Sequence, residues 1–450
     1  MKLINRPEYM EKLKLWQSQA NLIKIVTGVR RCGKSKLFEI FQEYLRTTGI
    51  SDKQIITVNL EDDVQTREIG LRKDQKTKLL EDYSILLDFI TGKMPKDKKT
   101  FIFLDEIQML DDWQRLANTL RLKKNTDVYL TGSNAHMFSS EIATLLGGRY
   151  IEIKMQPLSF KEYLSVFEKK DNMYVLPSET SGASGASSTT GGLPEIFALY
   201  TRESGFPQTT EFNHNPQMIN NYLLDSVYQN TVRKDIIQRF GISDPVRLDE
   251  IIRFMFDNTG NATSLRKVQN KLKSDAGIEI SPATLNSYVK GLLDSYLMYK
   301  CEEYDLKGKR ILESDAKYYT ADIGLKNALL GRPDKDIGYA LENVVYLELI
   351  RRGYDVKTGR VSTKAVKVGK KIKNKTIEID FVASKAGGIV EYYQVAWSVL
   401  GNEETMQREY ASLEEIKDNY PKYLLTMDSG SGGQNGIKRL NVPQWLATGE

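Results

Sequence analysis

The stretch Gly28-Val29-Arg30-Arg31-Cys32-Gly33-Lys34-Ser35 constrains this chain more than any other, because it satisfies G-x-x-x-x-G-K-[ST] without a mismatch. Leu22 to Thr27, just before it, is short and rich in β-branched residues, so it reads as a buried strand. After it, Leu37, Ile40, Phe41 and Leu45 recur at helical spacing from Lys36 to Leu45. A glycine-rich turn between a strand and a helix N-terminus is a cradle for a phosphate chain. Gly28 and Gly33 let successive N–H groups turn inward, and the helix adds its positive dipole end. Lys34 is expected to reach the β- and γ-phosphates and Ser35 to ligate Mg²⁺.

The expected contacts of a bound ATP are Gly28, Arg30, Arg31, Cys32, Gly33, Lys34, Ser35 and Lys36. About 70 residues after Lys34, Thr100 to Leu104 forms an apolar strand that ends in Asp105-Glu106. Asp105 is expected to hold the magnesium shell and Glu106 to polarise the attacking water. This strand is expected to lie directly beside the one that feeds the phosphate loop. A further strand, Thr126 to Thr131, ends in Gly132-Ser133-Asn134, where Ser133 or Asn134 is placed to read the γ-phosphate. Arg149, after Gly147-Gly148, is read as an arginine finger supplied in trans to the next subunit.

Bulk properties narrow the class. At 450 residues the chain exceeds one core, and two to four domains are expected. Hydrophobic residues make up 40%, and mean hydropathy is −0.43. No run of apolar residues suits a membrane span, and Met1 to Pro7 lacks an apolar signal core. Two cysteines, Cys32 and Cys301, make no disulfide framework. A cytoplasmic protein without membrane attachment is expected. The net charge of +5 permits a nucleic-acid partner without requiring one.

The remainder is read in order. Tyr9, Leu13 and Trp16 mark an amphipathic helix, and the preceding Arg6 is expected in solvent, with a nucleotide base or a neighbouring subunit as alternatives. Ser178 to Gly192, mostly Ser, Gly, Thr and Ala, reads as a flexible loop. Helices are expected over Arg247–Met255 and Ser264–Leu272, and a third opens at Ser281-Pro282, an N-cap followed by proline. Met298–Tyr304 and Lys317–Thr320 then read as paired strands. Three helices and a two-stranded wing resemble a winged helix, although Thr284, Asn286, Ser287 and Lys290 make a weakly basic face on the third helix.

The motifs Thr27 to Ser35, Phe103 to Gln108, Leu130 to Asn134 and Gly147 to Tyr150 resemble a family of archaeal and bacterial AAA-type ATPases. The carboxy-terminal domain of that family was long labelled only as of unknown function. The resemblance continues through Pro157 to Tyr163, Gly191 to Glu195, Lys317 to Leu325, Leu341 to Asn343 and Glu378 to Val382. It implies an α/β chain with an AAA-type P-loop ATPase domain over 1–215, a winged-helix-like domain over 216–332 and a nuclease-like α/β domain over 333–450.

From Tyr339 onward the order helix–strand–strand–strand–helix–strand resembles the restriction-endonuclease-like fold. Glu342 and Asp380 match its first two metal-binding acids, but Gln394-Val395-Ala396 replaces the acid and lysine of its third motif. One carboxylate fewer weakens a hard-cation site, and the absent lysine removes transition-state stabilisation. Cleavage is therefore not expected unless a displaced lysine, for instance Lys385, restores it. Lys357 to Lys375 holds eight Lys/Arg and no acid. Its Lys364, Lys367, Lys370, Lys371, Lys373 and Lys375 are the expected DNA contacts, reading backbone or shape. The expected function is an ATP-hydrolysing AAA-type enzyme, assembled as a ring or partial ring, that remodels or translocates DNA, branched or structured DNA included. The alternatives are an ATP-gated switch or scaffold in defence against foreign DNA, or a metal-dependent nuclease.

Overall fold

A computed structural model describes residues 4–449 except 18, 76, 136–144, 171–172, 176–189, 332–336, 363–365, 369–370 and 374–375. Most of the Ser/Gly-rich loop, together with Lys364, Lys370 and Lys375, lies outside the described residues. The chain divides into two compact units, residues 1–157 with 294–296, and residues 158–293 with 297–450. The first boundary falls near 157, and the one expected at 215 lies inside the second unit.

The first unit is built on five parallel strands: β1 (Ile23–Thr27), β2 (Ile55–Asn59), β3 (Thr100–Asp105), β4 (Thr126–Gly132) and β5 (Tyr150–Lys154). Their order is β2-β3-β4-β1-β5. Every residue of β1, β3 and β4 is buried, as central strands of a parallel sheet require, and Lys24 of β1 and Asp127 of β4 are buried as an ion pair. The edge strands β2 and β5 are only partly buried. The expected adjacency of the Asp105 strand and the phosphate-loop strand is not found. β4 lies between them, pairing Ile25 with Leu130 on one side and Ile102 with Val128 on the other. The inserted strand carries Ser133 and Asn134 to the same edge of the sheet.

In the second unit, helices Pro245–Asp257, Leu265–Ala276 and Pro282–Asp294 form where periodicity places them. Ser281 caps the third, its Oγ accepting from Thr284 N at 3.1 Å. Short strands β6 (Glu168–Lys170), β7 (Met173–Val175) and β8 (Thr190–Gly191) form a small separate sheet. Strands β9 (Met298–Asp305) and β10 (Arg310–Thr320) pair antiparallel, as the wing reading expects. They do not stand alone, however. β9 also pairs in parallel with β11 (Asp355–Ser362), through Thr358 opposite Glu303.

The remaining strands are β12 (Val366–Val368), β13 (Lys371–Lys373), β14 (Thr376–Lys385), β15 (Ile389–Ala396), β16 (Lys422–Thr426), β17 (Gly432–Gln434) and β18 (Ile437–Asn441). Strands β9 to β11 and β14 to β18 give one eight-stranded sheet, β10-β9-β11-β14-β15-β16-β18-β17. The boundary expected at 332/333 therefore cuts through a continuous sheet. Among the described residues β12 and β13 pair only with each other, as a hairpin between β11 and β14. Helix Ile337–Arg351 packs on one face of the large sheet, where Tyr319 stacks on Tyr346 at 4.3 Å between ring centroids. Helix Glu403–Glu414 covers the other face through Tyr410 and Leu413.

Candidate functional site

Residues 28–33 connect β1 to helix Lys34–Thr47, whose first two residues complete the motif. Gly28 has φ +149°, and a Cβ there would lie 2.0 Å from the carbonyl oxygen of Met155. Only glycine fits, since both the conformation and the space exclude a side chain. Gly33, with φ +105°, opens the helix and leaves its first N–H groups facing outward. Arg6, expected in solvent, is instead buried beneath this loop. Its guanidinium donates to the carbonyls of Cys32 at 2.9 Å and Gln156 at 2.7 Å. A planar, permanently charged fork that satisfies several buried carbonyls explains why an arginine sits there.

Beside the loop, Ser35 Oγ donates to Asp105 Oδ2 at 2.6 Å. Thr131 Oγ1 donates to Asp105 Oδ1 and accepts from the Glu106 amide at 2.8 Å. Lys34 Nζ donates to Gly28 O at 3.0 Å and lies 3.5 Å from Glu106 Oε1. Gln108 Nε2 donates to Glu106 Oε2 and to Ser133 Oγ, the latter at 3.1 Å. Ser133 and Asn134 are both fully buried. Lys34, Ser35, Asp105, Glu106 and Ser133 thus converge at the carboxyl ends of β1, β3 and β4. Thr131 and Gln108 belong to the same network and were not singled out from sequence. Only their nearness to Asp105-Glu106 and to Gly132-Ser133 in the chain signalled them.

Charge is arranged accordingly. Burial is the largest influence and would lower the Lys34 pKa, but Glu106, Cys32 and Asp105 together outweigh it and raise it. Burial pushes Glu106 up, and Lys34 and then Arg30 bring it below the ordinary carboxylate range. Burial, reinforced by Glu106, raises Asp105. A hydroxyl and one carboxylate side by side are the oxygen donors that Mg²⁺ takes when phosphates complete its shell, so the residues present fit Mg-ATP.

The other expected contacts are spread out. Arg30 pairs with Glu61 at 2.8 Å, Cys32 is buried, Arg31 is exposed at φ +67°, and Lys36 pairs with Glu39 on the helix surface at 2.7 Å. Arg149 is exposed, and its carbonyl accepts from Ile23 N at 3.0 Å, at the start of β1. It therefore lies at the end of the sheet opposite its own phosphate loop, about 16 Å away along a five-residue strand.

In the second unit, Glu342, Asp380 and Gln394 come together. Asp380 Oδ2 accepts from Val395 N at 2.9 Å, and Gln394 Oε1 accepts from Asp380 N at 3.3 Å. Gln394 Nε2 donates to Glu409 at 2.9 Å. The lysine beside them is Lys317 of β10, unnoticed in sequence, and its place inside the apolar run Ala316-Lys317-Tyr318-Tyr319 was the available sign. Its Nζ lies 2.9 Å from Glu342, 2.6 Å from Glu378 and 3.6 Å from Asp380. Tyr319 OH donates to Glu342 at 2.6 Å. Burial and the Glu342 carboxylate push Asp380 up to about 8. Lys385 is elsewhere, its ammonium 4.0 Å above the Tyr354 ring.

The Mg²⁺ that the endonuclease resemblance implies does not fit these donors. Both Asp380 oxygens and the Gln394 carbonyl are engaged, and an ammonium already lies among the acids. No group of three or more His, Cys, Asp or Glu among the described residues could hold a metal.

Residues 20–164 match a family model described as an AAA domain, and residues 190–336 match a domain of unknown function. An uncharacterised protein of Haemophilus influenzae is 34% identical, over 99% of this chain and 98% of its own length. The chain belongs to that family. Another relative, an uncharacterised protein of Methanocaldococcus jannaschii, is 29% identical over 88% of this chain and 79% of its own. The amino-terminal unit of the family member described here is an AAA-type α/β domain. Its unknown-function match covers 190–336 rather than the carboxy-terminal 333–450, where the resemblance places such a domain. Among solved structures, the Aeropyrum pernix ORC1 protein in complex with DNA is 14% identical, covering 74% of this chain and 93% of that one, at a TM-score of 0.33. Cdc6p from Pyrobaculum aerophilum is 12% identical, covering 74% and 94%, at 0.30. Overlaps this low carry no argument about function. Among the described residues no helix is long and apolar enough to cross a membrane.

Proposed function

We propose that this protein hydrolyses ATP, assembles as a ring or partial ring, and uses turnover to move or remodel DNA, branched or structured forms included. The reading rests on one observation, the meeting of Ser35 and Asp105 at 2.6 Å with Lys34 and Glu106 alongside. Lys34, Ser35 and Asp105 would hold Mg-ATP, which supplies the phosphoryl group and the charge-neutralising cation. Glu106 would accept the proton of the attacking water, with Gln108 and Ser133 fixing its carboxylate. Ser133 or Asn134 would sense the γ-phosphate, and Arg149 would reach a neighbour's ATP.

The grip on DNA is assigned to the carboxy-terminal half, an endonuclease-like fold without cleavage. Helix Ile337–Arg351, β11, β14, β15, helix Glu403–Glu414 and β16 follow the order of that fold. The β12–β13 hairpin interrupts it within the lysine-rich stretch, and a basic hairpin outside the large sheet suits phosphate contacts.

The test measures ATPase rate and salt-dependent binding with duplex, forked and four-way DNA. Stimulation by at least one of these, abolished by Lys34→Ala, is expected. Reversing Lys367, Lys371 and Lys373 to Glu should weaken binding and lower the salt slope by about 0.9 per lost contact. No stimulation together with no salt-sensitive binding would remove the reading.

A specific observation favours the switch as second reading. Gln108 Nε2 donates to Glu106 Oε2, an amide partner through which bound nucleotide can set the position of that carboxylate. A switch predicts slow turnover and a Glu106→Gln protein that stays assembled and still signals. A motor with that change binds DNA and stalls.

A further inference from the structure

The acids that would bind a divalent cation in an endonuclease-like fold already have a cation of their own. We infer that the ammonium of Lys317 is the resident counter-ion of the Glu342, Glu378 and Asp380 cluster, that it excludes divalent metal, and that removing it creates a metal site. The inference goes beyond ATP turnover and DNA binding and does not depend on either.

The geometry is specific. Lys317 is 5% exposed, and its Nζ lies within 4 Å of all three carboxylates. Glu342 and Asp380 are 8% exposed, so bulk ions screen neither. The remaining oxygen of Asp380 is bonded to the Val395 amide, and the Tyr319 hydroxyl further occupies the Glu342 oxygen that meets Lys317.

A divalent cation needs several oxygens aimed at one point, and here the point they share holds a nitrogen. Two like charges cannot occupy it together. An ammonium and Mg²⁺ a few ångströms apart in a poorly solvated site repel each other strongly. Gln394 fits this arrangement. A third carboxylate there would add a buried negative charge with no cation to balance it, whereas the amide serves the Asp380 backbone N–H and Glu409 at once. The Lys317 stem also belongs to β10, paired with Cys301 of β9, so its reach is set by the sheet and not by a loop.

The test titrates Mn²⁺ into the full-length, nucleotide-free protein and follows the free-ion electron paramagnetic resonance signal. In the wild type, Asp380→Asn should leave the number of bound Mn²⁺ unchanged. Lys317→Gln should gain one Mn²⁺ per chain, and Lys317→Gln with Asp380→Asn should lose it again. Lys317→Arg, which keeps the charge and the sheet, should gain none. A wild-type protein that loses one Mn²⁺ on Asp380→Asn would overturn the inference, and that measurement stands even if the Lys317 variants do not fold. So would a folded Lys317→Gln protein that gains no Mn²⁺.

Discussion

Lys34 and Glu106 keep each other charged inside the protein, and this dependence gives a sign that can be checked. With Lys34 present, Glu106 titrates below the ordinary carboxylate range, so its contribution is present at neutral pH and lost as pH falls through that low value. In Lys34→Ala the largest influence opposing burial is gone, so the carboxyl moves up and its contribution at neutral pH shrinks. The destabilisation by Lys34→Ala should therefore grow between about pH 4 and pH 7. At neutral pH it should reach about 3 kcal/mol, the usual cost of stranding one member of a buried pair. Thermal unfolding at a series of pH values reads this directly, and an equal loss at every pH would refute it. Thr131→Val removes a bond to Asp105 and leaves the Glu106 amide without its acceptor. A loss of about 1–3 kcal/mol is expected, together with weaker Mg²⁺ dependence of nucleotide binding.

At the level of elements, the phosphate loop is held from below by Arg6, which belongs to the helix-leading segment and not to the loop. Arg6→Ala should weaken nucleotide binding several-fold while leaving the far half of the chain as stable as before, measured by nucleotide titration and by proteolysis of each half. Individual elements were largely legible. β1, β3 and β4 are short, mostly apolar runs, the Ser281-Pro282 cap marks its helix start, and the glycines mark the loop. What sequence did not reveal was partnership across distance. Nothing in Thr126 to Gly132 says that it inserts between two other strands, and nothing in Met298 to Asp305 says that its second edge is taken by β11. Local spacing reports which face of a strand is buried, while neighbours are chosen by connections many residues long. Arg6 is read as solvated, and Lys317 is given no role, for the same reason. A cation next to apolar residues looks solvated until the distant carbonyls or carboxylates that neutralise it are brought alongside.

For the molecule as a whole, the sheet that runs unbroken from β10 to β17 decides where the chain can be cut. A fragment beginning at 333 would expose the edge of β11 that β9 covers and lose Tyr319 from its stack on Tyr346. It should aggregate, whereas residues 158–450 should give a cooperative unfolding transition by circular dichroism. A soluble, cooperatively folded 333–450 fragment would contradict this. Arg149 has a different consequence. It lies at the foot of the strands whose tops hold Lys34 and Ser35, so no single chain can bring it to its own nucleotide. If it works as proposed, specific activity should collapse on dilution. Two dead variants, Lys34→Ala and Arg149→Ala, should revive each other when mixed. An enzyme built this way reports how many copies of itself are nearby, and stays silent when it is alone.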